Sequence, residues 1–258
     1  MGLRRRAEGS RQLPDLALGR EDHAGERRSV SGGPVAARWD AEYREGRYVA
    51  EPPLPFVGEV VATLRAHPEA LAGVGLYVGC GNGRNYLPLV DAGLNLHGLD
   101  ISGEALDQLA ARRPELAPRL TRADFRDLAF DRAFDYLVAI QVFQHGVEVD
   151  ASAYFAQAAA ALRPGGLLFV RVNAATTEVY FGHTVVERNP FGGLTVRYSD
   201  GPKAGLCVHF YSADELRDLT RDQFRLLAGP REVVTRRAPP KTGTWAQWEA
   251  VLQKRRVD

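Results

Sequence analysis

Three alternate glycines, Gly79, Gly81 and Gly83, follow the apolar run Val74 to Val78 and stand directly before a helix-like segment. A strand, a tight turn and a helix start in that order gather free backbone N–H groups at one point. Glycine lets the backbone itself approach a polar ligand there. The spacing is G-x-G-x-G, because Arg84 stands where the dinucleotide fingerprint needs its last glycine. Asp100 then closes the apolar strand Leu94 to Leu99. A carboxylate at the end of a second strand can accept from vicinal ribose hydroxyls, or it can serve a helix start beside Ser102. Asp124-Phe125 follows a third strand and could take an exocyclic amine and the face of a base, although taken alone the pair reads better as an ordinary loop Asp with a core Phe. Finally, the run Phe134 to Val142 reads as a buried strand that opens on Gln141, Gln144 and His145.

These residues need a scaffold that brings strand ends together. Strands are expected near 75–79, 95–99, 119–123, 134–140 and 167–172, with helices near 83–92, 102–112 and 151–162. That rhythm predicts βαβ units and a parallel sheet, in which function gathers beyond the strand C-termini. Before it, two helical segments between Trp39 and Arg65 flank Glu51-Pro-Pro-Leu-Pro55. After it, Arg163-Pro-Gly-Gly166 ends a helix, and residues 173–210 form an excursion too long for a routine connection. Within the excursion Leu194–Tyr198 and Leu206–Phe210 predict a β-hairpin. Ser212 and Glu215 make a capping box, and two strands follow over roughly 224–255.

Composition narrows the classes. The chain has 258 residues, 45% hydrophobic and 25% charged, with a net charge of +1. That suits one large α/β domain and argues against a constitutive nucleic-acid or membrane-surface binder. Two distant cysteines, Cys80 and Cys207, fit neither a disulfide framework nor a zinc site and point to a reducing cytoplasm. No apolar run approaches a membrane span. Residues 1–30 are expected to form a disordered tail, with the single domain over 31–258, its N-terminal cap over 31–72 and a lid over 173–210.

In order along the chain, Tyr77-Val-Gly-Cys-Gly-Asn-Gly83, Gly98-Leu-Asp-Ile-Ser102, Ala123-Asp-Phe125, Phe134-Asp-Tyr-Leu-Val-Ala-Ile-Gln-Val142 and Leu162-Arg-Pro-Gly-Gly166 resemble the class I S-adenosylmethionine-dependent methyltransferases. The resemblance implies an α/β fold with a seven-stranded, doubly wound, Rossmann-like sheet, whose last strands include a reversed one. Here an N-terminal helical cap and a β-hairpin insertion after the fifth strand would complete it. It implies S-adenosyl-L-methionine as cofactor, with Gly79 and Gly81 at its methionine part, and with Gly83 and Asn85 at the helix start. Asp100 would hold the ribose, Ile101, Asp124 and Phe125 would meet the adenine, and Gln141 would lie beside the methyl. Tyr77 stands where the family usually carries an acidic residue. The segment Trp39 to Tyr48 resembles, more loosely, the cap of tellurite-resistance-type and thiopurine-type enzymes.

Methyl transfer from a sulfonium is an in-line displacement, so positioning and exclusion of water are the protein's main work. A hydroxyl or amine acceptor would need a base, and His145 is the candidate, against a structural role at the strand end. Tyr48, Arg171, His209 and Tyr211 are the candidate substrate contacts, with Arg171 suited to an anion or to a salt bridge. Tyr43, Arg47, His183 and Arg197 lie in the cap and lid segments. Asn189-Pro-Phe191 mimics a DNA amino-methylation motif but falls in the insertion. The expected activity is methylation of a small molecule, with no metal, nucleic acid or membrane. Methylation of RNA or protein, and a catalytically inactive cofactor-binding scaffold, are the alternatives.

Overall fold

In the computed structural model, which describes residues 33–49 and 51–256, the expected alternation is present. Strands β1 (Gly75–Val78), β2 (Leu96–Asp100), β3 (Leu120–Arg122), β4 (Phe134–Ile140) and β5 (Leu162–Asn173) are parallel and lie in the order β3-β2-β1-β4-β5. A second sheet follows, of β6 (His183–Arg188), β7 (Leu194–Tyr198) and β8 (Cys207–Phe210), antiparallel throughout. Strands β9 (Phe224–Arg236) and β10 (Thr244–Lys254) return to the first sheet, with β10 antiparallel to both β5 and β9. The full order is β3-β2-β1-β4-β5-β10-β9, the seven-stranded sheet with its reversed strand.

Seven helices cover the sheets: α1 (Pro34–Arg44), α2 (Phe56–Ala66), α3 (Pro68–Leu71), α4 (Tyr86–Asp91), α5 (Gly103–Arg112), α6 (Glu148–Ala161) and α7 (Ala213–Thr220), among the described residues. Alternation along the strands sends side chains to two cores. Leu76, Val78, Leu137, Ala139, Leu168 and Val170 pack with α6, while Tyr77, Tyr136, Val138, Leu167 and Phe169 pack with Phe56, Val60 and Leu64 of α2. Burial on both faces is why β4 reads as one apolar run rather than an alternating one.

Three boundaries differ from the expectations. The insertion is a three-stranded sheet rather than a hairpin alone. Strand β6 escapes notice because its side chains are almost all exposed and only its backbone pairs with β7. Strand β5 starts at Leu162, since Arg163-Pro-Gly-Gly166 is absorbed into a register shift opposite Phe134 and Tyr136. Helix α1 begins at Pro34, a residue whose fixed φ suits a first helical position. The tail expected over residues 1–30 lies outside the described residues.

The capping box on α7 is present: Ser212 Oγ accepts from the Glu215 N–H at 3.0 Å, and the Glu215 carboxylate reaches back to the Ser212 N–H. Ser212→Ala is expected to lower stability by about 1 kcal/mol. Urea unfolding of the two proteins measures it, and an unchanged midpoint would mean the cap contributes nothing.

Candidate functional site

Strand order reverses beside β1, whose neighbours β2 and β4 connect in opposite directions. The crevice at such a point is where ligands meet an open α/β sheet. Gly79, at the end of β1, has φ +70° and its N–H donates to the Leu99 carbonyl at 2.7 Å. A Cβ there would stand 2.1 Å from Val142 Cγ2, so the loop closes only on glycine. Gly81 has φ +54° and its N–H donates to Asp100 Oδ2 at 2.7 Å. Gly83 completes the turn, donating to the Cys80 carbonyl at 3.1 Å.

Asp100 unites its two candidate roles. One oxygen holds the glycine loop and the other accepts the Ser102 N–H at 2.9 Å, while Ser102 Oγ caps α5 by accepting from Ala105 at 3.1 Å. Burial pushes the Asp100 carboxyl up to about 6, against the pull of those N–H donors. A carboxylate offers about four lone-pair sites, so beyond its backbone N–H donors Asp100 keeps acceptor capacity for a ligand hydroxyl.

Helix α1 lies over this loop, held by its own polar residues. Asp40 Oδ1 accepts from Ser102 Oγ at 2.6 Å and from the Glu104 N–H at 3.1 Å, and Gln108 Nε2 donates to the Tyr43 carbonyl at 3.0 Å. Trp39 and Tyr43 are four residues apart and so share a helix face. The Trp39 ring meets His145 at 5.0 Å, and the Tyr43 hydroxyl sits 2.4 Å from where a Gly81 Cβ would be. Tyr43, half-buried, is followed by Tyr48, whose ring lies 5.8 Å away. The chain then crosses the loop: Arg84 donates to the Pro52 carbonyl at 2.8 Å and pairs with Glu51 at 2.6 Å. Leu54 N–H donates to Asn85 Oδ1 at 2.9 Å.

Of the other expected contacts, Tyr77 is buried on the α2 side, hydrogen-bonded to Asn85, and burial raises its phenol well above the usual value. Ile101 is half-buried and its carbonyl accepts from Arg122. The Asp124 carboxylate is engaged by Arg126 through Nε at 3.0 Å and Nη2 at 2.7 Å. Burial works against its ionisation, but those bonds hold its pKa below the usual value. Phe125 is 2% exposed, stacked on Phe143 at 5.8 Å and tilted against Phe130, so its ring belongs to the core.

Gln141 caps β4 with φ +63°, a strained value for a side chain with a Cβ, fixed by its N–H to the Arg171 carbonyl at 2.7 Å. His145 Nε2–H donates to the Gln141 carbonyl at 3.1 Å. A carbonyl only accepts, so the proton is on Nε2 and Nδ1 keeps its lone pair. Burial, with the charge of Lys203 second, pulls His145 down to about 3. The ring is therefore neutral at pH 7, a hydrogen-bond acceptor through Nδ1 and a weak base. Gln141 Nε2, His145 Nδ1 and Arg171 Nη1, all near the ends of β4 and β5, are buried without a partner among the described residues.

The candidate substrate contacts divide. Tyr48 remains at the cap, beside Tyr43. Arg171 takes the salt-bridge role: its Nε donates to Glu249 Oε1 at 2.9 Å inside the sheet, with the side chains 5% and 6% exposed. His209 is committed on both nitrogens, Nε2–H to Glu215 at 2.8 Å and Nδ1 to the Thr195 hydroxyl at 2.9 Å, and is 1% exposed. Tyr211 is completely buried and donates to the Phe143 carbonyl. His209 and Tyr211 thus fasten the second sheet to α7 and to the end of β4 instead of lining a pocket. His183 and Arg197 are exposed. Asn189 Oδ1 accepts from Gly193 at 2.8 Å in the β6–β7 turn, a structural use of the Asn-Pro-Phe segment. Trp39, Arg38 and Lys203 were not anticipated. The Trp39/Tyr43 spacing on one helix was the available signal.

A separate cavity of about 220 Å³ lies between α7 and the β9–β10 pair, lined by Phe155, Leu216, Phe224 and Leu252, away from the glycine loop. No helix among the described residues is long and apolar enough to cross a membrane.

Known proteins resemble this chain in part of its sequence and in its fold. Residues 76–166 match the family described as methyltransferase domain. A cypemycin N-terminal methyltransferase from a Streptomyces species is 30% identical over 113 residues, 43% of this chain and 46% of that protein. A ubiquinone biosynthesis O-methyltransferase from Methylobacterium is 34% identical over 109 residues, 40% of this chain and 42% of that protein. The matched segment thus spans less than half the length of these curated relatives. Among solved structures, the 1,6-didemethyltoxoflavin-N1-methyltransferase of Burkholderia thailandensis, with bound 1,6-didemethyltoxoflavin and S-adenosylhomocysteine, superposes with a TM-score of 0.58 at 21% identity. It covers 86% of this chain and 88% of that one. Residues 76–166 thus match the methyltransferase-domain family, and the seven-stranded sheet around them has the fold of the class I methyltransferases.

Proposed function

We propose that this protein is an S-adenosylmethionine-dependent methyltransferase acting on a small molecule. The observation that carries the reading is the convergence at the strand ends. A glycine loop tied to the Asp100 carboxylate ends β1, and beyond the end of the neighbouring β4 stand two buried polar atoms without partners among the described residues, Gln141 Nε2 and His145 Nδ1. These residues fit the cofactor: Asp100 keeps acceptor capacity for a ribose hydroxyl beyond the backbone N–H groups it already holds, and the loop residues Gly79, Gly81 and Gly83 carry no side chains of their own.

When bound, the cofactor supplies a methyl carbon already activated by positive sulfur. Gly79, Gly81 and Asn85 would bind its amino-acid part, Asp100 and Ile101 its nucleoside, and Asp124 the base edge with the lone pairs that Arg126 leaves. Gln141 would sit beside the methyl, held rigid by its backbone bond to Arg171. Helix α1 excludes water with Trp39 and Tyr43. His145 Nδ1 would accept a hydrogen bond from the acceptor and orient it, since its proton affinity is too low for it to act as a base at neutral pH.

The near-neutral charge supports a small-molecule acceptor over RNA, and two unpaired cysteines agree with a cytoplasmic setting. Calorimetric titration with S-adenosylmethionine and, separately, NADH tests the reading. Saturable binding of the first alone is expected, and absence of that binding would overturn it. Binding without turnover on a panel of thiols, phenols and carboxylic acids would favour the inactive scaffold. His145→Ala is expected to reduce kcat/KM by roughly 10- to 100-fold through lost orientation, with cofactor affinity unchanged. If the native kcat–pH profile shows a step between pH 6 and 7 that this variant abolishes, His145 is a base after all.

A further inference from the structure

Only three of the chain's basic residues are lysines: Lys203, Lys241 and Lys254. Lys241 lies over the Phe181 ring and Lys254 holds Gln223. Lys203 is different. It occupies the β7–β8 turn, where its carbonyl accepts from the Leu206 N–H at 2.9 Å while its amine makes no hydrogen bond or ion pair with any described residue.

The turn is nevertheless fixed. Arg38 Nε donates to the Pro202 carbonyl at 2.9 Å and its Nη2 to the Gly201 carbonyl at 3.2 Å, clamping the turn to α1. At the other side, the Gly146 N–H donates to the Cys207 carbonyl at 3.0 Å, and the His209 N–H to the Gln144 carbonyl at 2.8 Å. Cap, insertion and the end of β4 therefore meet around this turn: the Lys203 charge acts on His145, whose Nδ1 has no partner among the described residues and whose ring lies 5.0 Å from that of Trp39. Among the described residues the acid that acts on Lys203 is Glu42, which is occupied by Arg47 at 2.6 Å, with Arg38 at 3.8 Å. Lys203 is half-buried, and that burial lowers its amine to about 8, since desolvation penalises the ammonium.

We propose that Lys203 is a specificity residue that pairs with an anionic oxygen, carboxylate or phenolate, on a flat conjugated acceptor lying against Trp39. The inference rests on the methyltransferase reading above. If the anion is the reacting oxygen, the new O–CH3 bond forms as the S–CH3 bond breaks. The C–S electron pair goes to sulfur, the two opposite charges cancel, and no proton is moved. Lys203 then holds the anion in place without becoming part of the product.

The test uses full-length native protein and Lys203→Met. Calorimetry first measures S-adenosylhomocysteine, for which both proteins should show the same affinity. With that ligand saturating, benzoate is expected to bind the native protein and to lose about tenfold or more in Lys203→Met, the scale of one charge-assisted bond. Benzamide should be insensitive to the change. The pair 4-nitrophenol and nitrobenzene repeats the comparison for a phenolate and shows which oxyanion is preferred. After reductive 13C-dimethylation, benzoate or 4-nitrophenolate should move the Lys203 resonance and leave those of Lys241 and Lys254 in place. Equal anion affinity in both proteins, an uncharged partner bound as well as its anion, or an unmoved Lys203 resonance would each overturn the proposal. Failure of the native protein to bind S-adenosylhomocysteine would instead defeat the methyltransferase reading. The lysine resonances, read without that ligand, would still decide on the oxyanion site.

Discussion

Asp100→Ala is expected to weaken S-adenosylmethionine binding by roughly 1.5–3 kcal/mol, about ten- to 150-fold, because charged hydrogen bonds to the ribose are lost. The Gly81 and Ser102 N–H groups also lose their acceptor, which loosens the loop. Calorimetry on native protein, Asp100→Ala and Asp100→Asn separates the effects, since asparagine keeps the shape and one acceptor but not the charge. Unchanged affinity in a folded Asp100→Ala would remove this residue from the ribose site. pH offers an independent readout. The carboxyl titrates near 6 in the folded chain, so the binding-competent anion declines as pH falls from 7 to 5, and affinity should decline with it. Stability should respond in the opposite sense. The folded pKa is above the unfolded value of about 3.9, so folding favours the protonated form, and acidification from above 6 towards 4 adds to this group's contribution. A variant without the carboxyl should lose both responses.

The second large effect concerns the sheet. Glu249 accepts from Arg171 across the β5–β10 register and from Arg231 Nη2 at 2.6 Å, and both Arg171 and Glu249 are buried. Glu249→Ala leaves the Arg171 guanidinium enclosed, with Nε newly unpaired and Nη1 already without a partner. The expected loss is about 3–5 kcal/mol. At roughly 2–4 °C per kcal/mol for a domain of this size, the midpoint should fall by roughly 6–20 °C. Thermal and urea unfolding measure it, and a loss under about 1 kcal/mol would show that the pair is not insulated from water. Replacing both residues by methionine should recover most of the loss, because the cost comes from one stranded charge and not from absence of the pair. Arg171 is thus important for holding the reversed strand, a different task from meeting an anionic substrate. That separates it from Lys203, whose charge has no such internal partner.

Legibility along the chain followed the range of the interactions. The glycine loop, the end of β2 and the end of β4 were readable because each is a local event. A strand stops, a glycine takes positive φ, and a polar residue appears at the edge, all within a few positions. The capping box at Ser212 was readable for the same reason. His209, Tyr211 and Phe125 were candidates by residue type, and types do not reveal partners. Thr195, Glu215, the Phe143 carbonyl and Phe130 claim them through contacts made only after folding. Strand β6 carries no amphipathic pattern and exists because β7 offers its edge.

The amino-acid order alone therefore determined the parallel sheet, its glycine loop and the acidic strand end, since backbone geometry and hydrophobic periodicity are short-range constraints. Which side chains remain open at the site was decided only in three dimensions. Arg38 on α1 and Pro202 in the β7–β8 turn are 164 positions apart, yet their hydrogen bond holds the turn that carries Lys203 against the cap. No local pattern encodes that distance, because polar partners are selected by packing and desolvation once the chain has closed.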